Sequence, residues 1–227
     1  MVKALNGLRD GLPIVVGYLP AGMTFGILAR EAGVMVSDTV GFSAIVFAGA
    51  SQYMAINLIA TGAATLQIIA ATFLLNFRHF LMSATLTRRL EEQRVWPRML
   101  LAFGVTDETF AIASVRPTFS GTYMGALNLV AWLSWQTGTI TGYLAGSFLP
   151  PAVGTAMGVA LYALFAALLA PILRANLIRI IPAVAAALMH IALRELTEIP
   201  LGWSFVLAVV AAAAVGSVVP ETNREKQ

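Results

Sequence analysis

Eight apolar stretches follow one another along the chain, at roughly 12–30, 39–60, 64–86, 99–115, 124–148, 154–173, 177–193 and 200–219. Crossing a hydrocarbon layer about 30 Å thick at 1.5 Å per residue takes about 20 apolar residues, so most of these stretches can span a bilayer. Their apolar runs are continuous, without the period-two alternation of a membrane barrel, so the spanning unit is a helix. The links between them are short and hold no soluble domain. The expected fold is an all-α integral membrane protein of about seven or eight hydrophobic segments, forming one transmembrane domain over residues 1–227.

Composition points the same way. Of the 227 residues 59% are apolar and 11% charged, against about 45–50% and about 25% in a soluble domain. The mean hydropathy is +0.82. A soluble fold leaves roughly a quarter of its extended-chain surface exposed, too much for so apolar a chain to place in water. There is no cysteine, which excludes disulfides, thiolate nucleophiles and thiolate-held metals. His79 and His190 are too few for a zinc site of their own, so no metal or cofactor is expected. The net charge of +3 is spread over loop arginines, as inner-membrane proteins require, with no nucleic-acid signature. The opening MVKALNGLRDGLP carries no apolar run followed by a cleavage site, so no cleaved signal peptide is expected.

Two stretches are unsuited to plain spanning helices. Residues 12–30 carry Pro13, Gly17, Pro20, Gly22 and Gly26, and a proline inside a helix removes a hydrogen bond and clashes with the preceding turn. Residues 99–115 are short and hold Asp107 and Glu108 near the middle. Both are expected to be discontinuous or re-entrant, which membrane depth tolerates only where protein or water surrounds the break. If every stretch spans, with the N-terminus outside, six basic residues lie in the cytoplasm and seven outside. If these two stretches re-enter, twelve become cytoplasmic, Arg194 alone lies outside and Arg78 stays in the membrane. The positive-inside rule favours the second arrangement. It implies two pseudo-repeats of broken segment, helix, helix, over 12–86 and 99–173, followed by extra helices over 177–219. Gln52 and Gln136 then fall in corresponding helices. Transporters are often built from such repeats, with the passenger held where broken helices meet.

The sharpest chemical signal is Asp107-Glu108 in FGVTDETFAI. Carboxylates at bilayer depth are costly and each must find a partner. Two side by side out of water cannot both stay charged cheaply, so one is expected to bind and release a proton. The alternative is a structural pair with Arg78. Asn76 and His79 share a helix face in LLNFRHFLM, beside Arg78. Arg78 suits either a salt bridge to the acidic pair or a forked grip on a substrate carboxylate. His79, whose imidazole changes charge near neutral pH, suits a proton relay. The run Pro20, Ala21, Gly22, Met23, Thr24, Phe25, Gly26 offers unwound backbone for an anionic group. Its glycines also suit close helix packing, as do Gly138, Gly142 and Gly146. Ser51, Gln52, Trp135, Gln136 and Thr139 are polar or amphipathic groups in apolar helices, suited to glue between helices or to substrate contact. His190 reads as interfacial. No phosphate loop, zinc-protease or nucleophile-elbow motif is present, so catalysis is not expected.

In their order, GYLPAGMTFGILA (17–29), FAGASQYMA (47–55), LNFRHFLMSA (75–84), FGVTDETFA (103–111) and WQTGTITGYLAG (135–146) resemble the AzlC family, the large subunit of branched-chain amino-acid exporters. The likeness covers roughly residues 8–175. It implies export of valine, leucine, isoleucine or a similar apolar amino acid across the cytoplasmic membrane, driven by protons. It also implies a small AzlD-type membrane partner, and it is compatible with a homo-oligomer. A zwitterion needs an anion site, a cation partner and an apolar pocket. The broken helix or Arg78, the acidic pair, and Phe25, Phe103, Phe110 or Trp135 supply these in turn. An uncoupled channel or facilitator for a small polar solute is the competing reading.

Overall fold

A computed structural model describes residues 2–91, 94–148, 177–199 and 201–218. The expected segment 154–173 lies outside the described residues. Those described are helical, with one isolated β-bridge between Leu90 and Phe119. The helices are α1 (Val2–Glu31), α2 (Val36–Val46), α3 (Gly49–Ala60), α4 (Thr65–Thr87), α5 (Val95–Phe103), α6 (Asp107–Ser114), α7 (Gly121–Ala145), α8 (Ile181–Leu196) and α9 (Leu201–Val218). Two of them, α1 and α4, are long and apolar enough to cross a membrane. Much of α4 is apolar and exposed, with Leu66, Phe73 and Phe80 all about two-thirds exposed. Water would not tolerate such a surface, but lipid does.

The first expected break is absent. α1 runs unbroken through both Pro13 and Pro20, about 45 Å at 1.5 Å per residue. A proline costs a helix about 3 kcal/mol, and here packing along the whole length of α7 outweighs it. Gly7 lies against Tyr123, Gly11 against Val130, Gly22 against Gly138 and Thr139, and Gly26 against Thr139 and Tyr143. Both helices therefore run in the same direction. Gly138 and Gly142 return the contact onto Leu19 and Met23. At Gly22, Gly26, Gly138 and Gly142 the neighbour is backbone, so there is no space for even a methyl group. Close packing, and not unwinding, accounts for this glycine run. The expectation that residues 12–30 re-enter is overturned.

The break falls instead in the second stretch. α2 and α3 form a hairpin that enters from the C-terminal end of α1 and turns back. Its entry is fixed there by the Tyr143 hydroxyl, which donates to the Val34 carbonyl at 2.8 Å. Its tip, Phe47, meets Tyr18 edge-on with ring centroids 6.3 Å apart. Phe42 on the way in and Tyr53 on the way out both pack on Phe25, each at 6.1 Å. The expected break in 99–115 is present. α5 and α6 form a second hairpin, entering from the opposite end and turning at Gly104, Val105 and Thr106. Its base is tied by Arg116 to Asp10 at 2.6 Å, and by Arg89 to the Ser114 carbonyl. α7 pins both hairpins. Trp132 Nε1 donates to Ala44 O at 3.2 Å, and Asn128 Nδ2 to Leu101 O at 2.8 Å.

The seam generates a stability prediction. Gly142→Ala should lower the thermal unfolding midpoint in detergent by the equivalent of about 1–3 kcal/mol, since its methyl would fall on the Met23 backbone. Gly41→Ala, in α2 with open space around it, should be neutral or stabilising by about 0.5–1 kcal/mol. Equal effects at the two positions would show that the seam is not tightly packed.

Candidate functional site

The two hairpin tips touch. Phe47 and Phe103 lie with ring centroids 6.4 Å apart, and beside them is a chamber bounded by Tyr18, Phe47, Ala48, Gly49, Ala50, Arg78, His79, Thr106, Asp107, Glu108 and Trp135. α1 brings Tyr18, α4 brings Arg78 and His79 from mid-helix, and α7 brings Trp135. The enclosed volume is about 30 Å³, space for one or two waters.

Each tip is built from local sequence. In GVTDET the Thr106 hydroxyl accepts from Thr109 N at 3.3 Å, while Thr109 Oγ1 accepts from Thr106 N at 2.8 Å. This reciprocal cap starts α6 at Asp107 and places two carboxylates in its first turn, where the helix dipole favours them. At the other tip Phe47 adopts a left-handed backbone with φ of 41°, a conformation costing a non-glycine residue about 1–2 kcal/mol. Ala48 N donates to Gln52 Oε1 at 3.2 Å, and Ser51 Oγ donates to Ala48 O at 2.9 Å, so side chains of α3 hold the turn.

The acidic pair is divided between two partners. Arg78 Nη2 lies 3.0 Å from Asp107 Oδ2, with both side chains about one-third exposed. Glu108 accepts from the Tyr18 hydroxyl, which also lies 2.8 Å from Thr106 Oγ1. A phenol has one proton and can also accept. Tyr18 therefore suits Glu108 in either state: it donates to the carboxylate, or accepts from the acid while donating to Thr106.

Of the residues expected at the site, Arg78, His79, Asp107, Glu108 and Trp135 line the chamber. Gly22 and Gly26 belong to the α1–α7 face and, like Pro20, do not line the chamber; Thr24 Oγ1 donates back to Pro20 O at 3.0 Å. Phe25 is fully buried and stacks on Trp135 at 6.3 Å. Ser51 and Gln52 stand behind the tip. Thr139 pairs with Ser43 at 2.9 Å. Asn76 and Gln136 do not reach the lining, and His190 sits on α8. Sequence reasoning missed Tyr18, Phe47, Ala48, Gly49, Ala50 and Thr106. Thr106 was legible as a helix start, Thr followed by Asp-Glu. Tyr18 carried no signal, because only the fold puts it opposite Glu108. A larger space of about 540 Å³ between α5 and α7 is lined by Leu100, Leu101, Phe103, Leu129, Trp132 and others, none ionisable, so the polar chemistry is not there.

The family described as AzlC protein matches residues 13–149. The chain belongs to the AzlC family. It is 36% identical over 171 residues to "Inner membrane protein YgaZ" of Escherichia coli (strain K12), covering 71% of this chain and 69% of that one. An "Uncharacterized membrane protein" of Archaeoglobus fulgidus is 33% identical over 213 residues, 93% and 91% of the two chains. "Branched-chain amino acid transport protein AzlC" of Bacillus subtilis (strain 168) is 26% identical over 141 residues, 60% and 55%. No solved structure matches the chain. The AzlC region contains every residue that lines the chamber, and the relatives' names agree with the lipid-facing surface of α4 on a membrane protein.

The ion pair generates a test within this AzlC-family chain. Arg78→Gln and Asp107→Asn each leave one charge without its partner, whereas the double variant removes both. A double-mutant cycle on unfolding in detergent should give a coupling energy of about 1 kcal/mol or more. Additive effects would mean that the pair contributes nothing.

Proposed function

We propose that this chain is a secondary transporter exporting branched-chain or similar apolar amino acids across the cytoplasmic membrane in exchange for protons, working with a small AzlD-type subunit. One observation carries the reading: two re-entrant tips from opposite ends meet at a small polar chamber holding Arg78, Asp107, Glu108 and His79. Broken helices meeting at depth are how many secondary transporters hold a polar passenger. The printed name of the Bacillus subtilis relative supports the amino-acid class.

Charge placement supports the orientation. Between Val2 and Phe148, Lys3, Arg9, Arg88, Arg89, Arg94, Arg98 and Arg116 lie toward the end where α1 begins, and Arg30 toward the other. The positive-inside rule assigns the first end to the cytoplasm. The α5–α6 hairpin then enters from the cytoplasm and the α2–α3 hairpin from outside. Toward the cytoplasmic end Leu86, Leu90, Val105, Phe119 and Met124 are buried in one cluster, and on this reading they close the way from the chamber to the cytoplasm. Lys3 pairs with Glu91 at 3.2 Å across that end.

Coupling follows from Glu108. Asp107 is committed to Arg78, so Glu108 is the group free to exchange partners. Its carboxylate can hold a substrate ammonium or a proton, but not both at full strength. A carrier in which the two compete exchanges one for the other. A proton gradient directed inward then drives the amino acid outward.

Proteoliposomes loaded with labelled valine provide the test. Wild type should lose valine faster when an inward proton gradient is imposed. Glu108→Gln should lose at least tenfold of that response, and whatever exchange of valine for valine remains should no longer depend on pH. Wild-type flux indifferent to the gradient would favour an uncoupled facilitator.

A further inference from the structure

Resting on the amino-acid reading above, we propose that the substrate carboxylate is held by the N-terminus of α3, on the backbone N–H groups of Gly49 and Ala50 together with the indole N–H of Trp135, and not by Arg78.

The α3 terminus is open. Its cap residue, Ala48, has no side-chain acceptor, in a position where Ser, Thr, Asp or Asn normally satisfies the first N–H groups. The Ala48 carbonyl takes the first helical bond, from Gln52 N at 2.9 Å. The N–H groups of Gly49, Ala50 and Ser51 are left with no partner among the described residues. Gly49 and Ala50 line the chamber. α3 is 12 residues long, enough for the dipole at its start to attract an anion.

A buried side chain of the chamber independently calls for an acceptor there. Trp135 is 3% exposed and lines the chamber, yet its Nε1 has no partner. A buried indole N–H is normally bonded. Gln52 is fully buried; its Oε1 is taken by Ala48 N, and its Nε2, on the same amide, has no partner. Donors without acceptors thus come to the chamber from the backbone of α3 and from Trp135, while Gln52, behind the tip, does not line it. The opposite wall is acceptors, the carboxylates of Asp107 and Glu108. A donor wall facing an acceptor wall fits the two ends of a zwitterion, with the carboxylate toward α3 and the ammonium toward Glu108. Arg78 stands on the acidic side and is already engaged at 3.0 Å.

The trio also accounts for Gly49. A methyl there would press on the Trp135 ring, displacing the indole that completes the donor set. Because the chamber has room for only one or two waters, an amino acid enters when the tips separate, and the donors must travel with α3 and α7.

The experiment uses the chain co-purified with its small subunit in proteoliposomes, with valine counterflow as the readout. Valinamide, which keeps the ammonium and lacks the carboxylate, serves as competitor. Ala50→Pro deletes one N–H in the first helical turn, where proline is tolerated. Trp135→Phe deletes the indole N–H and keeps an aromatic ring. Each should raise the KM for valine about tenfold or more and leave inhibition by valinamide within about twofold, so that discrimination between the two collapses. Arg78→Lys should preserve that discrimination. Three results would overturn the assignment: an unchanged KM in both variants, valine and valinamide weakening in parallel, or loss of discrimination only on changing Arg78. Absence of counterflow for any amino acid by wild type is a separate failure, because it rejects the transport reading itself along with this one.

Discussion

A helix that stops inside an apolar layer exposes backbone N–H and C=O groups that lipid cannot satisfy. Both interruptions among the described residues obey that constraint, and most of the described architecture follows from it. The turn at Gly104–Thr106 is closed by Thr106 and Thr109, and the turn at Phe47–Ala48 by Ser51 and Gln52. Each tip is also walled off from lipid by α1 and α7, with Asn128 and Trp132 bonding to carbonyls on the entering arms. The polar interior results from placing two broken helices against one another, where each supplies surroundings the other needs.

Asp107 and Glu108 are neighbours in sequence and opposites in circumstance. About 100° of helical turn separates them, which directs one to Arg78 on α4 and the other to Tyr18 on α1. A fixed ion pair beside an exchangeable acid is a common division between structure and proton chemistry. On the proton-coupled reading proposed above, Glu108 is that exchangeable acid, and the Tyr18 hydroxyl can bond to it in either state.

The succession of apolar stretches, their helical character and the interruption by Asp107 and Glu108 were all legible in the sequence, because length and burial of charge are local properties. The pairing of Arg78 with Asp107 was one of two readings that the sequence left open. The misplaced break is instructive. Pro13 and Pro20 announce a broken helix by composition, yet the long glycine-lined contact with α7 keeps α1 whole; that contact depends on residues more than a hundred positions away. The true break at Phe47 carries neither proline nor glycine at its left-handed residue, and only the following Ala48-Gly49-Ala50 hints at it. Tyr18 was invisible for the same reason: its role exists only once α1 and α6 are side by side.

The parallel contact between α1 and α7 has no slack, since backbone meets backbone at successive glycines. Two rods fitted so closely cannot slide or roll past one another in small steps, and they act as a single stiff post. Tyr18 and Trp135 are mounted on that post, whereas Glu108 and the start of α3 are carried by the hairpins beside it. On the transport reading proposed above, opening toward either side would be a swing of one hairpin against a stationary column, and the two sides would not need to be unlatched together.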